Sequence, residues 1–525
     1  MCGILFVEGQ IDQDQFSSSF IKMQHRGPDM SRILSNELGT FGFHRLAIMD
    51  VTEHGMQPFV DHDTMVVCNG EIYNEKAIKV MFPSYPFQGH SDCEVLIPMY
   101  ERLGIEMCRY LDAEFAFVLT DLKHRKIIAA RDPIGIRPLF YGHQKSSGKI
   151  AFASEAKALI DLCDEIQPFP IGSVYEDGKF IRYHDITKTS TRKITDEQHI
   201  KSLIKEKLTL GVQKRMMSDV PIGYLLSGGL DSSLVCAIAA RSSNQPLTTF
   251  AIGMRDDAID LKYAMQVAKH LKTNHHEIIM SVDEVIHALP EVIRMLETYD
   301  ITTIRASLGM YLLCKGIRKC SDIKVLLSGE ISDELFGYKY TDFAPSAQAF
   351  QIESEKRLRE LYEYDVLRAD RCIAAWSLEA RVPFGDLDFV STVLAIDPQM
   401  KLNTRKMGKY WLRAAFEEGD YLPSSILWRD KAAFSDAVGH SMVDALKAKA
   451  ETLYSDDEFK LGCLRYADCV PLSKEALWYR DLFERFYPNQ SHWLSAYWMP
   501  NPNWEGCAVN DPSARVLSNY GLSGT

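Results

Sequence analysis

From about residue 198 to residue 330 predicted helices and strands alternate in strict order, and nothing else in the 525 residues constrains the fold as tightly. A helix with Ile200, Leu203, Ile204, Leu208 and Val212 at helical spacing leads into strand GYLLS and helix SLVCAIAARS. Strand TTFAIG, helix DLKYAMQVAKHL, strand HEIIM, a helix to about Glu297 and strand IKVLLS follow. Strands separated by helices cannot pair as tight hairpins. The pattern therefore predicts an α/β doubly wound parallel sheet with ligands at the carboxyl ends of its strands. Beyond residue 350 the pattern is mainly helical, and residues 501–525, with no periodicity, read as a loosely held tail.

The first half has another rhythm. Short β-rich runs (CGILFV, GTFGFHRLAIM, TMVVCNG, EFAFVLTD, KIIAARD) are broken by Gly, Pro and Asp turn signals, and the clearest helix is residues 92–104. This predicts an α+β unit on mostly antiparallel sheet. The polar stretch 185–198 separates the halves, giving domains 2–190 and 198–525. Composition narrows the function classes. Subtracting 71 acidic from 59 basic side chains gives −12, so no general basic field invites nucleic acid. Twelve dispersed cysteines without C-x-x-C suit a reducing cytosol, not a disulfide scaffold or a zinc site. No apolar run approaches the ~18 residues of a membrane span, and MCGILFVEGQ has no signal-peptide features, so a cytoplasmic protein without a membrane partner is expected. His275 and His276 adjoin in a predicted strand and point to opposite faces, which argues against chelation of one ion by the pair.

Cysteine at position 2 is ordinarily a small residue starting a strand. Loss of Met1 would instead give Cys2 a free α-amine beside its own thiol, and that amine can serve as general base. Five motifs at turns and strand ends accompany it: HRGPD (25–29), HRLAIMD (44–50), NGEIYN (69–74), SDCE (91–94) and RDPIGIRPLFY (131–141). Together and in this order they resemble the glutaminase domain of class II amidotransferases, an N-terminal-nucleophile hydrolase sandwich. The resemblance implies Cys2 as nucleophile and an oxyanion hole from Asn69 and the Gly70 N–H. It implies glutamine binding by Arg45, Leu46, Ala47, Ile48 and Met49, with Glu71 and Asp92 on the α-ammonium group.

LLSGGLDSS (225–233) joins a strand to a helix. Small residues there let backbone N–H groups approach phosphate, and the helix N-terminus favours anions. It lacks the lysine of the G-x-x-x-x-G-K-[ST] loop and resembles the loop of ATP pyrophosphatases. A second strand ends in LLSGEISDELFG (326–337), where Glu330, Asp333 and Glu334 repel one another unless a cation relieves them. Asp231 and Asp333 are candidate Mg²⁺ ligands.

With YDITTIRAS (299–307), EARVPF (379–384), KMGKYWLR (406–413) and FSDAVG (434–439), the two halves closely resemble glutamine-hydrolysing asparagine synthetase over residues 2 to about 490. The family resemblance implies ATP contacts at Leu226, Ser227, Gly228, Gly229, Asp231, Ser232, Ile252, Ser328 and Gly329. It implies Glu330 and Lys409 at a β-aspartyl-AMP intermediate, and Thr302 and Arg305 in a mobile pyrophosphate loop. Glutamine, aspartate and ATP are the implied substrates, with Mg²⁺ and a protected passage for ammonia; a homodimer is left open. Three departures stand out: Ile331 where the family has Gly, Tyr338-Lys339 for Gly-Tyr, and Gly385 for Leu. A β-branched residue disfavours the φ > 0 that Gly allows, so Ile331 is expected at an ordinary backbone angle or in a reshaped loop. Two alternatives are an amidotransferase or cyclising synthetase acting on another carboxylate, and a non-catalytic relative, against which the retained Cys2, Arg45, Asp231 and Asp333 argue.

Overall fold

A computed structural model describes residues 1–188, 193–255, 258–430 and 439–519; the FSDAVG motif, apart from Gly439, lies outside them. The chain forms two compact units. The first comprises Met1–Ile186, Met217–Pro221 and Ile373–Ala380, and the second Thr187–Met216, Ile222–Cys372 and Arg381–Thr525.

In the first unit, β1 (Gly3–Glu8), β2 (Met30–Ser35), β3 (Gly39–Arg45), β8 (Phe140–Gln144), β9 (Ile150–Ala153) and β10 (Cys163–Pro168) form one sheet, ordered β10-β8-β9-β1-β3-β2. A second sheet, ordered β12-β11-β7-β6-β5-β4, holds β4 (Phe59–Asp61), β5 (Thr64–Ile72), β6 (Ala113–Asp121), β7 (Lys126–Arg131), β11 (Ser173–Glu176) and β12 (Lys179–Arg182). Neighbouring strands are antiparallel, as the turn-punctuated sequence predicts. Ile4, Phe6, Phe41 and Phe43 of one sheet share a core with Val67, Ala116, Val118 and Ala129 of the other, so the sheets pack face to face. Outer faces are covered too. Helix α1 (Gln13–Phe20) places Phe16 and Phe20 where a Cβ on Gly42 would stand, while α3 (Leu96–Leu103), which follows α2 (Glu75–Met81), packs Leu96 and Met99 with Phe115 and Phe117. Both faces being covered explains why β1 and β6 read as continuous apolar runs instead of alternating.

The second unit opens with α4 (Glu197–Lys214), capped by Asp196, whose side chain accepts from the His199 N–H. Then come β13 (Ile222–Leu225), α5 (Leu230–Ser242), β14 (Thr248–Met254), α6 (Asp260–Leu271), β15 (Asn274–Met280), α7 (Val282–Leu296), α8 (Ile301–Cys320), β16 (Val325–Leu327) and α9 (Ser332–Phe336). The strands are parallel in the order β15-β14-β13-β16, and the Ser328 N–H beyond β16 donates to the Arg381 carbonyl. The chain moves outward from β13 through β15, then returns to the other side of β13. This reversal opens a crevice beyond the carboxyl ends of β13 and β16. Further helices include α10 (Ala347–Glu360), α11 (Asp365–Ala374), Leu387–Ala395, His440–Leu453 and Lys474–Phe486. No described helix is long and apolar enough to cross a membrane.

Three expectations are corrected. Thr302 and Arg305 do not lie in a mobile loop: they occupy the first turns of the 20-residue α8. The Asp300 side chain caps it, accepting from the Thr303 N–H and hydroxyl at 2.8 Å each, and Ile301, Ile304 and Leu308 are buried. Nor are residues 501–519 loosely held. Trp504, Cys507 and Leu517 pack with Tyr340, and Asp511 is forked onto Arg305 at 3.0 and 3.1 Å and paired with Lys447 at 2.8 Å. Finally, Ile331 does take the left-handed conformation, with φ 80° and ψ −18°, while its side chain is buried.

At Ile331 the usual ranking of Ala over Gly should reverse. Ile331→Gly should be more stable than Ile331→Ala by about 1 kcal/mol in denaturant unfolding, because Ala still carries the Cβ that φ > 0 penalises; an Ala variant equal or more stable would contradict the left-handed backbone. For Asp511, burial alone would raise the carboxyl, but Arg305 outweighs it and holds the group well below the ordinary range. Asp511→Asn should cost about 1–3 kcal/mol near neutral pH. The folded-state pKa is depressed, so this stabilisation is present above pH ~4 and fades as pH falls further. Melting curves of the two proteins should therefore converge in acid, and a gap unchanged down to pH 3 would exclude the charge pair as its source.

Candidate active sites

In the first unit Cys2 lies just before β1, Leu46 just after β3, and Asn69, Gly70 and Glu71 in β5 of the facing sheet. Asn69 Oδ1 accepts from the Cys2 N–H at 2.8 Å, the Cys2 thiol is 3.9 Å from the Leu46 carbonyl, and Arg26 Nε donates to the Cys2 carbonyl at 2.9 Å. Asn69 Nδ2 is buried with no hydrogen-bond partner among the described residues. The bond from Cys2 fixes which end of the amide faces it, so the Nδ2 donor of the same amide is left over. Gly70 could be nothing larger: a Cβ there would stand 2.5 Å from the Glu114 carbonyl oxygen.

Burial pushes the Cys2 thiol above its ordinary value, against the opposing influence of the Met1 ammonium. That ammonium is itself buried on Glu379 Oε2 at 2.6 Å. Arg45, at the end of β3, donates to the backbone carbonyls of Met49, Asp50 and Thr52. Its fork thus shapes the turn that follows Leu46, Ala47 and Ile48. Asp92 Oδ2 accepts from the Ile72 N–H at 2.7 Å, which brings it to the end of the strand carrying Glu71.

The second site fills the crevice beyond β13 and β16. Leu226, Ser227, Gly229, Asp231, Ser232, Ile252, Thr302, Arg305, Ser328, Gly329, Glu330 and Asp333 line one cavity of about 220 Å³, drawing together positions a hundred residues apart. Gly228 and Lys409 flank it without lining it. Ser232 Oγ accepts from the Ser227 N–H at 3.2 Å and contacts Ser227 Oγ at 3.0 Å, closing the loop on itself. Gly228 (φ 77°) and Gly329 are obligatory: a Cβ would stand 2.4 Å from Ala264 N and 2.7 Å from Ser232 N respectively.

Cations relieve the carboxylate repulsion. Lys409 Nζ donates to both oxygens of Asp231 at 2.8 Å and to Ser332 Oγ at 3.0 Å, and also pairs with Asp333. Arg368 pairs with Glu330 and with Asp365, the latter at 2.9 Å. Burial, reinforced by Asp365 and Asp333, pushes the Glu334 carboxyl well up. Arg305 is fully engaged by Glu475 (2.9 and 2.6 Å) and Asp511. The sequence reading missed Asp365, Arg368, Arg413, Arg429 and residues 512–514 of the wall. Asp365 and Arg368 are three residues apart on α11, a spacing indistinguishable in sequence from a solvated helix pair.

Two family models match separate stretches of the chain. Residues 1–194 match the glutamine amidotransferase domain family, and residues 203–354 and 343–509 match the asparagine synthase family. The chain is 41% identical over 556 aligned residues to the probable asparagine synthetase [glutamine-hydrolyzing] of Dictyostelium discoideum, covering 98% of both chains. The Schizosaccharomyces pombe relative of the same name is 43% identical, covering 99% of both, and asparagine synthetase [glutamine-hydrolyzing] 1 of Saccharomyces cerevisiae is 41% identical, covering 98% of both. With full-length similarity of this degree, the chain belongs to the glutamine-hydrolysing asparagine synthetase family.

Proposed function

We propose that the chain makes asparagine from aspartate at the expense of ATP, with ammonia taken from glutamine. Residues 2–190 act as an N-terminal-nucleophile glutaminase, and residues 198–525 as a doubly wound ATP-pyrophosphatase-type synthetase working in the cytosol. As an amide nitrogen, Cys2 N cannot accept a proton; after removal of Met1 it becomes an amine that can. It takes the thiol proton as sulfur attacks the glutamine amide carbon, and returns it to the departing ammonia. Water then resolves the Cys2 thioester to glutamate. Asn69 Nδ2 and the Gly70 N–H meet the oxyanion, Arg45 and residues 46–49 hold the glutamine carboxylate end, and Glu71 and Asp92 hold its ammonium group.

In the second unit the Ser227–Ser232 loop holds the phosphates of ATP, and Leu226, Ile252, Ser328 and Gly329 line its path. An aspartate β-carboxylate oxygen attacks the α-phosphorus, releasing pyrophosphate toward Thr302 and Arg305. Ammonia then displaces AMP from the β-aspartyl-AMP carbon next to Glu330 and Lys409. For Arg305 to meet a phosphate, one of its two carboxylates has to yield. Asp231 and Asp333 suit Mg²⁺: their hard oxygens already converge on one point charge, Lys409 Nζ. No described cluster offers three or more donors, which leaves the other positions to substrate oxygens and water, the usual state of this ion. When bound, Mg²⁺ neutralises charge on the phosphates.

The observation that carries the reading is the pair of sites on one chain: a thiol beside an unused amide donor, and a phosphate loop facing an acidic loop across one cavity. It is tested by pyrophosphate release with aspartate and ATP. Cys2→Ala should lose glutamine-supported release and keep ammonium-supported release. Asn69→Ala should lower the glutaminase kcat about 10²–10³-fold, and Asp231→Asn should abolish both modes. Pyrophosphate release that ignores aspartate, or prefers another carboxylate, would overturn the asparagine reading.

A further inference from the structure

Arg429 belongs to none of the motifs, and the proposed function gives it no role. It follows the short helix Ser424–Leu427 and lines the cavity of the second unit. Its guanidinium carbon lies 3.5 Å from the centroid of the Tyr263 ring, and Nη1 reaches Asp260 Oδ1 at 3.2 Å and the Gly228 carbonyl at 3.4 Å. Ring and carboxylate fix its plane against the turn of the glycine loop. Nη2 is buried and has no hydrogen-bond partner among the described residues.

The other guanidinium groups of the cavity are spent differently. Arg305 is forked by two carboxylates, Arg368 by Glu330 and Asp365, and Arg413 donates to the carbonyls of Gly408 and Leu427. None of these leaves a buried, unpartnered terminal nitrogen among the described residues. A buried cationic donor without an acceptor is costly, and one held in a fixed orientation beside a phosphate loop has an evident acceptor in a phosphate oxygen.

We propose that Arg429 is a nucleotide-binding residue whose Nη2 donates to a non-bridging oxygen of the β,γ-phosphates, the part of ATP that leaves as pyrophosphate. The proposal rests on the reading of this cavity as the ATP site. The chemistry distinguishes it from a residue that only shapes the loop, because AMP has no β,γ-phosphates.

The test compares the full-length chain with Arg429→Gln and Arg429→Lys, measuring the Kd of Mg-ATP without aspartate and the Kd of AMP by calorimetry. Arg429→Gln should weaken Mg-ATP at least tenfold and leave AMP within twofold, and Arg429→Lys should recover part of the loss. Equal weakening of both nucleotides would reduce Arg429 to a support for Gly228, and unchanged Mg-ATP affinity would also overturn the proposal. A wild-type chain that binds neither nucleotide would overturn the ATP reading, and the Arg429 assignment with it.

Discussion

The second unit depends on one buried ammonium group. Lys409 Nζ ties Asp231, in the first turn of α5, to Ser332 and Asp333 at the start of α9, so the loops after β13 and β16 are fastened at a shared point. The Lys409 side chain is 1% exposed. Removing it would leave the buried Asp231 carboxylate without its cation and close to Asp333, a loss of about 3–5 kcal/mol for a broken buried pair. The left-handed backbone of both Lys409 (φ 56°) and Ile331 belongs to this arrangement. One positions the ammonium at the start of a helix; the other turns the chain between Glu330 and Ser332. A local strain of about 1–3 kcal/mol at such a residue persists only where surrounding contacts over-determine it, and here the charge network and the buried Ile331 side chain do so.

The first unit is organised by burial more than by charge. Its candidate nucleophile stands where strands of two packed sheets end, and the apolar core between those sheets holds Cys2 against Asn69. Because burial raises the thiol, attack on an amide is best coupled to simultaneous proton removal, which an adjacent amine can provide without a histidine.

What could be read from sequence was what period and short-range chemistry encode. The parallel sheet was legible because helices between strands leave few topologies, and SGGLDSS announced its loop because steric demands at Gly228 admit no other residue. Long-range charge compensation was not legible. The family resemblance implied a loop at Thr302 and Arg305, although Asp300 is a helix cap two residues ahead of Thr302, and the acidic partners of Arg305 lie 170 and 206 residues away. The same distance hid the C-terminal segment, whose aperiodic sequence packs through Trp504, Cys507 and Leu517. Arg429 carried no motif at all; its meaning comes from a nitrogen unpartnered among the described residues, which only the folded chain reveals.

The central claim is that the second cavity joins aspartate to AMP before ammonia arrives. Aspartate carrying ¹⁸O in its β-carboxylate, incubated with Mg-ATP and ammonium, tests it directly by mass spectrometry of the products. The account predicts one ¹⁸O atom in AMP and none in pyrophosphate, since the attacking carboxylate oxygen stays on the α-phosphorus when ammonia displaces AMP. AMP free of ¹⁸O, or label in another phosphate product, would contradict it.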